Sequence, residues 1–130
     1  MSNNNREVSP TNAEIEILKV LWEYGPSTVR FVNDILKEKK GELHYTSTLK
    51  LMQIMTDKKL VKRDESVMKH IYSPLAAENK IMNFLLDRFI KTMYNGSKSK
   101  LILQLVGNKK ISEKDLKEIK SILNSIEQLQ

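Results

Sequence analysis

Residues 44–53 read His-Tyr-Thr-Ser-Thr-Leu-Lys-Leu-Met-Gln, a run in which hydroxyls and a cation alternate with apolar side chains. Thr48, Leu51, Met52 and Met55 fall at offsets of zero, three, four and seven. That spacing predicts the buried side of a helix over about 45–59. The other side then carries Thr46, Leu49, Lys50 and Gln53. Hydroxyls and backbone amides at a helix N-terminus cradle phosphate oxygens, and a lysine nearby adds a point charge. Thr46, Ser47 and Lys50 are therefore the leading candidates for contact with DNA, with Tyr45 and Gln53 next. Leu49 has two accounts, as a minor packing residue or as an apolar contact to thymine methyl groups.

Other chemistries find little support. The chain has no cysteine, which excludes disulfides, thiolate metal sites and cysteine nucleophiles. Its two histidines, His44 and His70, have no helical i, i+4 partner, so no zinc site is expected. Four glycines form no phosphate-binding loop, and Glu14 and Glu16 face different sides of their helix. The expectation is a protein that is not an enzyme and needs no cofactor. Lys+Arg 22 against Asp+Glu 16 gives a net charge of +6, which favours an anionic partner. A length of 130 residues with 40% hydrophobic content is one or at most two small domains with a core. Residues 1–10 lack the charged start and apolar stretch of a signal peptide, and no apolar run is long enough to span a membrane, so a cytoplasmic protein is expected.

The elements that must position these residues follow from periodicity and caps. Residues 1–10 are polar and read as a flexible arm. Thr11 and Glu14 have capping-box spacing before Ala13, Ile17, Leu18, Leu21 and Trp22, which predicts a helix ending at Gly25-Pro26. Ser27 and Thr28 are both good N-caps for a second helix carrying Val29, Val32, Ile35 and Leu36. After the third helix, Leu60–Asp64 and His70–Ser73 read as a two-stranded hairpin closed by Pro74. Three helices and a hairpin within residues 11–75 are the order of a winged helix-turn-helix domain. Residues 76–130 are helical throughout, with Ile81, Leu85, Phe89 and Met93 in one stripe, then Leu101 to Val106, then Ser112 and Asp115 capping a last helix. The fold class expected is mainly α with a small β-hairpin: an N-terminal winged helix-turn-helix and a C-terminal helical dimerisation region. Helices this apolar in so short a segment cannot easily bury their own surface. A homodimer through Leu85, Phe89, Leu101, Leu105, Ile119, Ile122 and Ile126 is the economical solution, and folding back onto the N-terminal domain is the alternative.

The order and identity of these motifs resemble the penicillinase-repressor family of winged-helix transcriptional regulators. The resemblance runs from Thr11 to Leu129. It is carried by Thr11-x-x-Glu14, Ile17-Leu18-x-x-Leu21-Trp22 with Gly25, Thr28-Val29-Arg30, and Tyr45-Thr46-Ser47-Thr48-Leu49-Lys50-Leu51-Met52. Downstream it continues through Lys58-Lys59-Leu60-Val61, Tyr72-Ser73-Pro74-Leu75 and Ile111-Ser112-x-x-Asp115-Leu116. It implies a dimeric repressor on a dyad-symmetric operator, with the third helix in the major groove and the C-terminal helices forming the dimer contact. It also implies release through cleavage by a partner membrane sensor metalloprotease. Relatives are cut at an Asn-Phe bond in the helix before the last, and the aligned pair here is Gln104-Leu105. Two departures stand out: the clustered cysteines of copper-sensing members are missing, and the usual Trp-Ser-Pro before the third helix reads Leu43-His44-Tyr45.

On a winged helix, Lys62, Arg63, Lys69 and His70 would lie in the wing, where they could reach the DNA backbone or minor groove. Ordinary solvated hairpin charges are the competing account, since Asp64 and Glu65 partly cancel them. Arg30, in the first turn of the second helix, could hold a phosphate or pair with Asp34 at i+4. A function of another class, a winged helix that binds a partner protein and not DNA, would show neither steep salt dependence nor preference for a dyad sequence.

Overall fold

The structure, a computed structural model, describes residues 9–107 and 111–129. Residues 1–8 of the expected arm lie outside it, while Pro10 is buried and the Ser9 carbonyl accepts a hydrogen bond from Lys58 Nζ at 3.4 Å. The described elements are α1 (Asn12–Tyr24), α2 (Val29–Lys40), α3 (Tyr45–Asp57), β1 (Val61–Asp64), β2 (Ile71–Pro74), α4 (Glu78–Tyr94), α5 (Lys98–Gly107) and α6 (Glu113–Leu129). They make the mainly helical fold with one small hairpin that the patterns predict. The chain divides into two compact units within α4, after Leu85.

Local chemistry starts each helix of the first unit. Thr11 and Glu14 form a reciprocal capping box: the Glu14 amide donates to Thr11 Oγ1 at 3.2 Å, and the Thr11 amide to Glu14 Oε1 at 2.9 Å. Gly25, at φ 86°, ends α1 in a conformation that a side chain would strain. Of the two candidate caps for α2, Thr28 serves, its hydroxyl accepting from the Phe31 amide at 3.1 Å. Ser27 instead exchanges backbone hydrogen bonds with Tyr72, at 2.8 and 3.0 Å, which adds a bridge to the hairpin. The hairpin pairs antiparallel in the register Val61↔Pro74 to Asp64↔Ile71.

The core joins Ile17, Leu18, Val20 and Leu21 of α1 to Val29, Val32 and Leu36 of α2, Met52 and Met55 of α3, and Leu60, Val61 and Tyr72 of the hairpin. Ala13, expected on the apolar stripe of α1, is exposed. The buried neighbour is Glu14, 2% exposed, whose carboxylate pairs with Lys58 Nζ at 2.8 Å. This ion pair ties the start of α1 to the residue after α3. A buried carboxylate is tolerated only with such partners, and here Oε1 accepts from both the Thr11 amide and Lys58. Trp22 Nε1 donates to the Ala76 carbonyl at 3.0 Å, fastening α1 to the chain leaving the wing.

A second buried polar contact fixes α2 against α3. The Thr48 hydroxyl donates to Asn33 Oδ1 at 2.6 Å, and Asn33 Nδ2 donates to the Leu43 carbonyl at 3.4 Å. Both side chains are almost fully buried. Thr48→Val keeps the shape but leaves the Asn33 carbonyl oxygen without its donor, which should lower stability by about 1–3 kcal/mol. Urea unfolding followed by Trp22 fluorescence measures this, and an unchanged midpoint would mean that Asn33 has found another donor.

Candidate nucleic-acid interface

The outer side of α3 is built by subtraction. Thr48, Met52 and Met55 are buried, so Thr46, Ser47, Lys50 and Gln53 are left exposed along the opposite side. Ile54 is exposed beside them, an apolar residue that the sequence patterns did not single out. Leu49 is half-buried and packs against the core, as its packing account holds, yet it also lines a surface cleft. The cap of α3 is His44, which gives no side-chain hydrogen bond to the first turn. Only the Ser47 and Thr48 amides turn back to its carbonyl, at 3.1 and 3.3 Å. The His44 side chain therefore leaves the first-turn amides uncapped, the property that suits an anion at a helix start.

The cleft has a volume of about 350 Å³ and lies between the starts of α2 and α3 and the wing. Thr28, Val29 and Arg30 form one wall, Tyr45 and Leu49 another, and Met68, Lys69, His70 and Tyr72 the wing side. Five candidates from separate stretches of sequence, Arg30, Tyr45, Leu49, Lys69 and His70, are thus brought to one place. Thr28 and Met68 were not anticipated there. Met68 is fully exposed, and only the knowledge of which face of the hairpin turns toward α3 could have placed it. Arg30 does not pair with Asp34. Its guanidinium carbon lies 4.5 Å from the centroid of the Tyr45 ring, a cation–π contact.

The other wing candidates differ from one another. Lys62 is exposed on β1, outside the cleft lining. Arg63 is held within the protein: its guanidinium pairs with Glu65 at 2.5 Å, and its Nε donates to the same carboxylate oxygen at 2.7 Å. The Tyr72 side chain, and after it Glu65, raise the Arg63 pKa above its ordinary value. The hydroxyl and backbone N–H of Ser66, with a smaller contribution from Lys62, lower that of Asp64. The Ser66 amide reaches Asp64 Oδ1 at 2.9 Å, which closes the turn.

The apolar candidates of the C-terminal half lie on three helices. Leu85 and Phe89 are on α4, the first half-buried and the second exposed, with the Phe89 ring edge-on to Tyr94 at 5.9 Å. Leu101 is half-buried and Leu105 exposed on α5, and Gln104 is exposed beside it. Ile119 is half-buried, whereas Ile122 and Ile126 are exposed on α6. No described residue of α5 or α6 is buried. The α6 start matches its expected cap, the Asp115 amide donating to Ser112 Oγ at 3.0 Å. Among the described residues no helix is long and apolar enough to cross a membrane, and no cluster of three metal-binding side chains occurs.

Comparison with known proteins agrees with this architecture. The family model described as penicillinase repressor matches residues 10–125. A penicillinase repressor of Staphylococcus aureus is 27% identical over 124 residues, spanning 94% of this chain and 96% of its own length. One of Bacillus licheniformis is 24% identical over 115 residues, spanning 87% of this chain and 88% of its own. A match of that extent, over a winged helix-turn-helix followed by apolar helices, means that the chain belongs to the penicillinase-repressor family of transcriptional regulators.

Proposed function

We propose that the chain is a cytoplasmic homodimeric repressor that binds a dyad-symmetric DNA operator, with α3 in the major groove and the wing against the adjoining backbone. The observation that carries this reading is the polar outer side of α3, where Thr46, Ser47, Lys50 and Gln53 stand exposed on a helix whose inner side is locked into the core. Phosphate contacts position such a helix and base contacts specify the sequence. Thr46, Ser47 and Lys50 serve the first role at the helix start, and Gln53 reaches base edges. Lys62 and Lys69 add cations from the wing, and His70 adds ring nitrogens for hydrogen bonding. Arg63 is the weakest contributor, because Glu65 already neutralises it.

Dimerisation belongs to the same mechanism. Two recognition helices set about one DNA turn apart, ~34 Å, read two half-sites, and linkage makes the second contact nearly intramolecular. The exposed apolar residues of α4, α5 and α6, with Phe89, Leu105, Ile122 and Ile126 prominent, support a second copy as the cover for this surface. Release follows from anything that separates the copies. Cleavage at Gln104-Leu105 by a membrane metalloprotease would do so, and because the bond lies within α5, that helix must open locally before a protease can seat it.

Three measurements test these statements. In mobility shifts with the DNA upstream of its own gene, the protein should bind selectively and more weakly at higher salt. Lys50→Ala should weaken binding and lower the salt slope by about one; no binding at low salt to that DNA or to a random operator library would reject the repressor reading. Ile122→Glu should give monomers by light scattering and reduce operator affinity by about 100-fold or more. A variant that remains dimeric would remove Ile122 from the interface. Mass spectrometry of the chain recovered from cells in which repression has been lifted should find fragments ending at Gln104, and intact chain alone would exclude proteolytic release.

A further inference from the structure

The Arg30–Tyr45 contact is more specific than a general basic surface. Arg30 is exposed, and among the described residues no carboxylate or carbonyl accepts any of its N–H groups. Its partner among the described residues is the face of the Tyr45 ring, 4.5 Å from the guanidinium carbon. A ring face attracts the cation without consuming hydrogen-bond donors. The fork of N–H groups is therefore held in place yet unspent. The ring is itself anchored, since Tyr45 is half-buried against the core and occupies the first position of α3. Held this way, a side chain that would otherwise sample many rotamers stands at the wall of the cleft, with Lys69 and His70 on the wing side.

We propose that Tyr45 is a positioning residue that holds the Arg30 guanidinium as a preformed clamp for one backbone phosphate of the operator, seated at the mouth of this cleft. The proposal rests on the operator reading above and gives it a defined contact. The guanidinium fork matches two phosphate oxygens as well as a guanine edge, and a phosphate fits better here because Arg30 is presented by α2, not by the helix assigned to the groove. Cations on both sides of the cleft suit the same anion. Tyr45 then acts through Arg30 and not through a hydroxyl contact of its own.

The test is a double-mutant cycle on affinity for the footprinted operator duplex, measured by fluorescence anisotropy over a range of salt. Arg30→Met should weaken binding roughly tenfold or more across sequences and lower the salt slope by about one for each clamp engaged. Tyr45→Leu should lose most of the same factor. Tyr45→Phe, which keeps the ring face, should retain it, and the double variant Arg30→Met/Tyr45→Leu should be no weaker than Arg30→Met alone. Additive losses, a Tyr45→Phe variant as weak as Tyr45→Leu, or an Arg30→Met variant with unchanged affinity would each overturn the clamp while leaving operator binding intact. Failure of the unaltered protein to bind duplex DNA would instead overturn the operator reading, and the clamp with it. Should Tyr45→Leu fold poorly, Arg30→Lys decides: with charge kept and fork lost, affinity should fall at an almost unchanged salt slope, and full affinity would reject the clamp.

Discussion

The hydrogen bond from Thr48 to Asn33 is the constraint on which the candidate interface depends. Apolar contacts hold α3 against α1 and α2, but they are non-directional and would tolerate some rotation of the helix about its axis. A 2.6 Å bond between two buried side chains does not. It requires Thr48 to face inward, which sends Thr46, Lys50 and Gln53 outward. Through its amide nitrogen, Asn33 also holds the Leu43 carbonyl, so the connection into α3 is set by the same residue. One asparagine thereby orients both the helix and its approach.

Electrostatics then sorts the cations by availability. The sequence carries a formal net charge of +6, and that figure does not say which charges face outward. Lys58 is spent on the buried Glu14 carboxylate and Arg63 on Glu65. Arg30, Lys50, Lys62 and Lys69 have no such ion pair among the described residues. Two of them, Arg30 and Lys69, line the cleft between α2, α3 and the wing. Internal pairing thus takes Lys58 and Arg63 out of the set that can meet an anion, and leaves Arg30 and Lys69 on facing walls of the cleft.

Most of the fold was legible because its signals are local. The capping boxes and caps at Thr11, Thr28 and Ser112 read directly from residue type and spacing, as did the inner side of α3 and the hairpin around residues 61–74. What escaped involves partners distant in sequence. Glu14 was legible as a cap but not as a buried ion-pair member, because Lys58 lies 44 residues away. Arg30 offered an i+4 partner in Asp34, and the tertiary approach of α3 supplied Tyr45 instead. Leu49 had both a packing and a contact account, and its position half in the core and half in the cleft explains why its type alone could not decide.

The backbone bridge between Ser27 and Tyr72 joins the wing to the turn before α2. A hairpin of two four-residue strands is marginal by itself, so it draws on the bridge and on the buried Tyr72 ring. Opening of either part at this point breaks the two hydrogen bonds that it shares with the other. That turn leads directly to Arg30, so the same two hydrogen bonds tie the wing to the start of α2. The two walls of the cleft are thereby joined through backbone as well as through side chains, so the spacing between them does not depend on side-chain packing alone.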